Sequence, residues 1–349
     1  MKEIILISTG AIGDMIIASA LQKPLNELGY KTGIISAGFT LPLWIGLENI
    51  TTYAFGKDKA LPELPTDAQV VDISNYLAHF PHSQPLPQKF TEEECRYDHL
   101  CEWMTYDLFQ KIGLKLEVSK ADVRIILRPE EVAFGRDYIA NLKKENGGKK
   151  VLIISPYATT KNRNIPLSTL EEIAAGVSDV AFSCQTTPYG ETQKIKGTVD
   201  VGDKDIRKSI AIRLAADTYL TVDSGPLHMM MGAMQGTPKD NLVDGVNPDP
   251  AKVFVVLGSS KPETVSYTGN QNIFAGNACE ISPCGAHGYY PLKSYGRLFG
   301  RRFHSSTDST KDKSGCIYQN FSGRETAVCM ESVKAEEVIE KIRGYLDNH

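Results

Sequence analysis

Three short stretches of the 349-residue sequence place glycines, hydroxyls and ionisable side chains directly after apolar runs. In Ser8-Thr-Gly-Ala-Ile-Gly-Asp14, two glycines let backbone amides approach a ligand, and the Asp14 carboxylate that follows is able to take a proton from a hydroxyl. Capping of the next helix is the competing role for Asp14. In Ser155-Pro-Tyr-Ala-Thr-Thr-Lys-Asn-Arg-Asn-Ile-Pro166, hydroxyls and the Arg163 guanidinium suit phosphate oxygens, to which arginine makes charge-assisted, often bidentate bonds. A solvated loop with Ser168 as helix cap is the alternative there. Leu220-Thr-Val-Asp-Ser-Gly-Pro-Leu-His228 breaks from strand to helix at Asp-Ser-Gly, where small residues and a helix N-terminus fit the charge and close approach of a phosphate. Asp223 as a helix cap and His228 as a buried structural histidine stay open, while Met229, Met230 and Met231 read as core.

A fourth region is basic and aromatic. Between Gly285 and Gly315, Lys293, Arg297, Arg301, Arg302, Lys311 and Lys313 are interleaved with Tyr289, Tyr290, Tyr295 and Phe299, a pattern that suits a phosphorylated acceptor or a nucleic acid and equally a solvated loop. Cys279, Cys284, Cys316 and Cys329 fall in the same C-terminal region, spaced more widely than an ordinary zinc knuckle.

Short apolar runs alternating with helical periodicity must position these residues. In the first half the pattern predicts strands at Ile4–Ile7, Lys31–Ser36 and Ala68–Ile73, helices at about Asp14–Leu28 and Tyr97–Ile112, and a strand or extended segment at Val123–Leu127. The polar stretch Lys143 to Lys150 then marks the boundary between a unit at 1–148 and one at 149–349. In the second half, strands are expected at Val151–Ile154, Asp179–Ser183, Tyr219–Val222 and Val253–Leu257, with helices at Leu167–Val177 and Ile206–Ala216. The rhythm implies an α/β protein of two Rossmann-like domains facing a cleft, with ligands beyond the carboxyl ends of the strands.

Bulk properties agree. The length suits two domains of roughly 150 residues each. Hydrophobic residues at 42% and charged residues at 23% describe a folded globular chain. A net charge of −4 gives no field that would gather polyanions, so any nucleic-acid or phospholipid contact is a local patch. The apolar run near Met1 is too short for a signal-peptide core, and no segment reaches 18 uninterrupted apolar residues. Seven scattered cysteines suit reduced thiols. The expectation is a cytoplasmic protein, or one docked peripherally on the inner membrane.

Taken in order, the Gly-Asp turn after the first strand, the Ala-Thr-Thr loop with a basic residue three before Pro166, Asp223-Ser-Gly-Pro-Leu-His228 and Ser282-Pro-Cys284 resemble glycosyltransferase family 9, the heptosyltransferases. Val71-Asp-Ile-Ser, Gly258-Ser-Ser-Lys-Pro-Glu and the ending from Cys329 to Ile339 are similar to further family segments, so the resemblance covers nearly the whole chain. It implies a GT-B fold, the last helix packing back on the N-terminal domain, and inverting transfer from a nucleotide-sugar, heptose from ADP-heptose first. It also implies no cofactor for catalysis. Asp14 would be the general base. Thr159, Thr160 and Arg163, the last in place of a lysine, would bind phosphate with Ser224, Gly225 and His228. Asp223 would orient the turn, and Glu191 would lie near the ribose. Gly13, Arg301 and Arg302 are the acceptor-side candidates, for a glycan, a lipid headgroup or a modified DNA base. Some protein-modifying relatives carry a cysteine-bound iron, which makes a structural zinc or iron at Cys279, Cys284, Cys316 and Cys329 a further expectation. Two insertions, Lys239–Ala251 and Gly285–Gly315, depart from the pattern. They leave a phage-type DNA-base glycosyltransferase using a UDP-pentose or UDP-hexose as a rival, beside a non-catalytic nucleotide-binding protein.

Overall fold

The computed structural model of the chain describes residues 2–8, 12–56, 60–74, 99–158, 161–186, 193–201, 205–279, 282 and 326–349, with only the backbone at 161. Two parallel sheets form its frame. The first has the order β3-β2-β1-β4, from β1 (Glu3–Ile7), β2 (Lys31–Ser36), β3 (Ile50–Ala54) and β4 (Gln69–Asp72). The second has the order β10-β9-β8-β5-β6-β7, from β5 (Lys150–Ser155), β6 (Ala181–Gln185), β7 (Val199–Asp200), β8 (Thr218–Val222), β9 (Val253–Leu257) and β10 (Gln271–Phe274). Central strands such as Val253-Phe-Val-Val-Leu257 are buried along their whole length, as strands covered by helices on both faces require.

Strand order reverses once in each sheet. After β3 the chain returns to the other side of β1, pairing Ile7 with Asp72, and after β7 it returns to the other side of β5, pairing Ser155 with Thr221. The crevices beyond the carboxyl ends of strands at such reversals are where open α/β sheets hold ligands. The first residues of α1 and the described residues that follow β5 and β8 lie at these two places.

The helix expected over Asp14–Leu28 begins two residues earlier and runs as three pieces: α1 (Ile12–Ile17), a 3-10 turn (Ala18–Leu21) and α2 (Gln22–Glu27). Pro24 has no N–H for the Ala20 carbonyl, which explains the tightened turn before it. Next come α3 (Leu100–Ile112), ended by left-handed Gly113, and α4 (Pro129–Glu145), a helix with Pro129 in its first turn. Lys143–Glu145 of the expected boundary stretch form the last turn of α4. Val123–Leu127 is extended but joins neither sheet. Its Ile125 amide donates to the Gly232 carbonyl (2.7 Å), and its Leu127 amide to Thr237 Oγ1 (3.3 Å).

In the second half α5 (Leu167–Gly176), α6 (Ile206–Ala215), α7 (Gly225–Gly236) and α8 (Pro262–Val265) alternate with the strands. Asp179 and Val180 lie in the turn before β6 rather than within it. α4 packs on α6 so closely that a Cβ at Gly135 would lie 2.2 Å from the Ala211 carbonyl oxygen. Buried Lys252 spans the end of α6, donating from Nζ to the carbonyls of Leu214, Ala216 and Asn247 (2.7, 2.9 and 2.7 Å), three acceptors beyond the reach of helical pairing. The chain closes with α9 (Val328–Glu331) and α10 (Ala335–Asn348). α10 packs Val338, Ile342 and Leu346 into the core of the second sheet, and its Arg343 donates to the Gly176 carbonyl. This corrects the expectation that the last helix returns to the first sheet: Gly176 and the apolar side chains of α5 offer it a closer surface. Among the described residues, no helix is long and apolar enough to cross a membrane.

Candidate functional site

The two strand-order reversals meet through α1 and α7. Gly13, buried in the first turn of α1, lies against the first turn of α7: a Cβ on Gly13 would stand 3.0 Å from His228 Cδ2 and 3.5 Å from Gly225 Cα. Gly225 faces the Gly13 amide nitrogen in return, at 3.5 Å from its own Cβ position. Two helix ends, one from each sheet, therefore abut through glycines, and a methyl on Gly13 would crowd the His228 ring. Asp14, half-buried, is the third residue of α1, within its first turn.

On the second sheet the loops after β5, β8 and β9 are tied together at one carboxylate. Arg163, buried in the 3-10 turn Lys161–Arg163, donates from Nη1 to the Asp223 carbonyl (2.6 Å), with the Asp223 carboxylate 3.4 Å from the same nitrogen. Ser260 Oγ donates to Asp223 Oδ2 (2.7 Å). Asp223 thus braces the turn from inside and is not a cap. The cap position of α7 belongs to Ser224, whose hydroxyl bonds the Val222 carbonyl (3.2 Å) instead of a helix amide. Glycine at 225 and Pro226 follow, so the α7 N-terminus carries the partial positive charge of its first-turn amides next to Gly13. Ser168 sits inside α5 after the cap position held by Pro166.

His228 is buried on α7, with Nδ1 2.8 Å from the hydroxyl of Tyr267. The Tyr267 ring also meets His99 edge-on, at 5.2 Å between centroids. His99 heads α3: its Nδ1 accepts from the Cys101 amide (3.3 Å) and lies 3.1 Å from the Cys101 thiol. Burial, and then the nearby His228 and Lys120, push the His99 imidazole down to about 3, so the ring is neutral. Burial drives the Tyr267 phenol well above its ordinary 10, reinforced by Cys101 and Asp223. Met229, Met230 and Met231 fill core positions.

The structure therefore brings together Gly13, Asp14, Arg163, Asp223, Ser224, Gly225 and His228 around the α1–α7 junction. Thr159, Thr160, Glu191, Arg301, Arg302, Cys284 and Cys316 lie outside the described residues. Gly13, foreseen on the acceptor side, is buried, with Gly225 and His228 beside it. Cys329 is buried and half-buried Cys279 packs against the same apolar cluster. These two thiols alone do not make a metal site, and among the described residues no group of three or more His, Cys, Asp or Glu side chains is placed to hold a metal. Tyr267 and His99 have no signal in the sequence, and Ser260 stands only within the segment Gly258-Ser-Ser-Lys-Pro-Glu. Each is tied to the site by a partner at least 37 positions away.

A scan of family models finds no match to the chain, and a comparison with curated proteins finds none either. Solved structures do match. The E. coli ADP-heptose lps heptosyltransferase II aligns at 12% identity and a TM-score of 0.56, over 100% of this chain and 99% of its own. The glycosyl transferase family 9 structure from Veillonella parvula DSM 2008 aligns at 13% and 0.54, over 100% and 98%. TibC, the dodecameric iron-containing heptosyltransferase from enterotoxigenic E. coli, aligns in its complex with ADP-D-beta-D-heptose at 11% and 0.57, over 99% and 76%. The chain has the α/β fold of these glycosyltransferases, two parallel sheets with helices on their faces.

Proposed function

We propose that a protein with this fold and this junction is an inverting glycosyltransferase, moving a sugar from a nucleotide-activated donor to an acceptor hydroxyl, with ADP-heptose as the donor. The observation that carries the reading is the abutment of Gly13 and Gly225, with the Asp14 carboxylate in one helix end and a braced, positively polarised helix N-terminus opposite. In this reading residues 1–148 form the acceptor side and 149–349 the donor side, with α4 leaning on the latter.

The donor diphosphate sits on the α7 amides with Ser224, Gly225 and His228, joined by Thr159, Thr160 and the Arg163 guanidinium, and Glu191 takes the ribose. As the acceptor oxygen bonds to the anomeric carbon, the bond from that carbon to the diphosphate oxygen breaks on the opposite face. The leaving diphosphate gathers negative charge, which preorganised amides and Arg163 stabilise. Asp14 receives the acceptor proton. Asp223 keeps the turn in shape through Arg163 and Ser260. Arg301 and Arg302 are kept for the acceptor, and no cofactor is assigned to the transfer.

The test is thermal stabilisation by ADP, UDP, GDP and their sugar conjugates. A ligand at 100 times its dissociation constant adds about 2.7 kcal/mol. Selective stabilisation by ADP-heptose is expected. Selectivity for a UDP-sugar would replace the donor, and no stabilisation by any nucleotide would sink the transferase reading.

A further inference from the structure

We propose that Tyr267 is a positioning residue for His228: its hydroxyl, 2.8 Å from Nδ1, fixes the imidazole as the Nε2–H tautomer, with the Cδ2 edge of the ring turned to the Gly13–Asp14 turn. The role assigned to that N–H, donation to an oxygen of the donor diphosphate, rests on the function proposed above.

The argument begins with hydrogen-bond capacity. A phenol has one proton to donate, and Tyr267, 2% exposed, has His228 Nδ1 as the hydrogen-bond partner of its hydroxyl. If the phenol donates, Nδ1 is unprotonated and the ring proton of the neutral imidazole sits on Nε2. If instead Nδ1–H donated to the phenol oxygen, the buried hydroxyl proton would be left without an acceptor, a loss that disfavours this arrangement by roughly fivefold or more. Burial keeps the phenol protonated throughout the physiological range, so its donor character is not lost to titration.

The phenol itself is held from several sides. The Tyr267 amide donates to Asn270 Oδ1 (3.0 Å), and its ring lies edge-on to His228 at 5.8 Å and to His99 at 5.2 Å between centroids. His99 belongs to the cap of α3, so a residue from the first half of the chain helps set the ring that orients a donor in the second. On the imidazole, Nε2 neighbours Cδ2, the atom that Gly13 approaches, so the N–H lies on the edge that faces the helix junction. Neutral Nε2–H is a directional donor that supplements the first-turn amides without burying a full charge.

Two-bond proton–nitrogen spectra of the full-length protein read the tautomer directly, with His228 assigned by the signal lost in H228Q. Calorimetric titration with ADP reads the consequence. The wild-type protein is expected to show His228 as Nε2–H. Y267F is expected to move the ring to a mixture of tautomers and to weaken ADP about tenfold. H228Q, whose amide nitrogen approximates Nε2, is expected to bind ADP more tightly than H228N, whose amide nitrogen approximates Nδ1. An Nδ1–H tautomer in the wild-type spectrum, which needs no variant to fold, overturns the proposal, as does a His228 signal unchanged in Y267F. Loss of the Nε2–H signature in Y267F, in a protein that binds no nucleoside diphosphate, would uphold the positioning role and overturn the donor reading.

Discussion

Asp14 and Gly13 are adjacent in sequence and divide two tasks. The carboxylate is the proposed base, and its replacement is expected to be chemical in effect: Asp14→Asn should lower transfer about 10²- to 10⁴-fold while nucleoside diphosphate affinity, measured by calorimetry, stays unchanged. Undiminished turnover would remove Asp14 from the mechanism. Gly13 is a spacing residue. Gly13→Ala would push a methyl to 3.0 Å from His228 Cδ2, against a ring already held by Tyr267, so something must yield. A loss of about 1–3 kcal/mol in chemical denaturation is expected, with weaker ADP binding. Unaltered stability would mean that the helix ends separate freely. That Asp14, Asp223, Ser224, Gly225 and His228 lie together was legible because each follows shortly on a strongly apolar run, where backbone geometry alone brings side chains to a sheet edge. Arg163 was foreseen as a phosphate ligand, and the structure adds that its guanidinium is already bonded to Asp223. Residue type cannot reveal such a competing partner 60 positions away.

Between the elements, Arg207 at the start of α6 is the principal clamp. Its guanidinium forms a two-pronged pair with Glu131 of α4, 2.6 Å from Nε and 2.7 Å from Nη2. It also donates to the carbonyls of Pro42 (2.9 Å) and Ile126 (2.5 Å). One buried side chain thereby joins α4, the extended segment before it and the 3-10 turn Gly38–Trp44 of the first half. Burial raises the affinity of Glu131 for a proton, but the bonds from Arg207 and the Arg128 amide outweigh it, so the carboxyl is held below its ordinary range. Breaking such a pair strands the other charge. Arg207→Ala should cost about 3–5 kcal/mol, and an apolar replacement of both partners, Arg207→Met with Glu131→Leu, should recover much of it. Equal stability of the single and double variants in urea titrations would argue that the charges act independently. Elements were readable where burial made them uniform. Edge strands β3 and β10 escaped because half-exposed Ile-Thr-Thr-Tyr-Ala and Gln-Asn-Ile-Phe carry polar residues that also suit loops.

At the scale of the whole molecule, the His99 imidazole couples folding to pH. It is neutral in the fold, with its affinity for a proton pushed down to about 3, whereas in the unfolded chain it titrates near 6.5. Between these values the unfolded state binds the extra proton, so stability falls as pH drops from about 6.5 towards 3, by an amount on the order of 5 kcal/mol. His99→Asn keeps a side chain able to cap α3 and removes the titration. Urea denaturation over this pH range should therefore show a shallower acid loss in the variant than in the wild type, and identical slopes would exclude His99 as the cause. His99 lies beside Tyr267 and His228, so this sensitivity sits at the seam between the two sheets. Such a seam marks the limit of what a linear reading supplies. By itself the sequence determined two α/β halves, the strand ends at which the site residues lie, and the small residues at their turns, because periods of 2 and 3.6 residues and the chemistry of glycine are local properties. Tertiary structure alone decided that Gly13 meets Gly225, that α10 lies on α5 and that Tyr267 holds His228. Those pairings depend on the complementary shapes of surfaces made from distant segments, which exist only once the two sheets have packed.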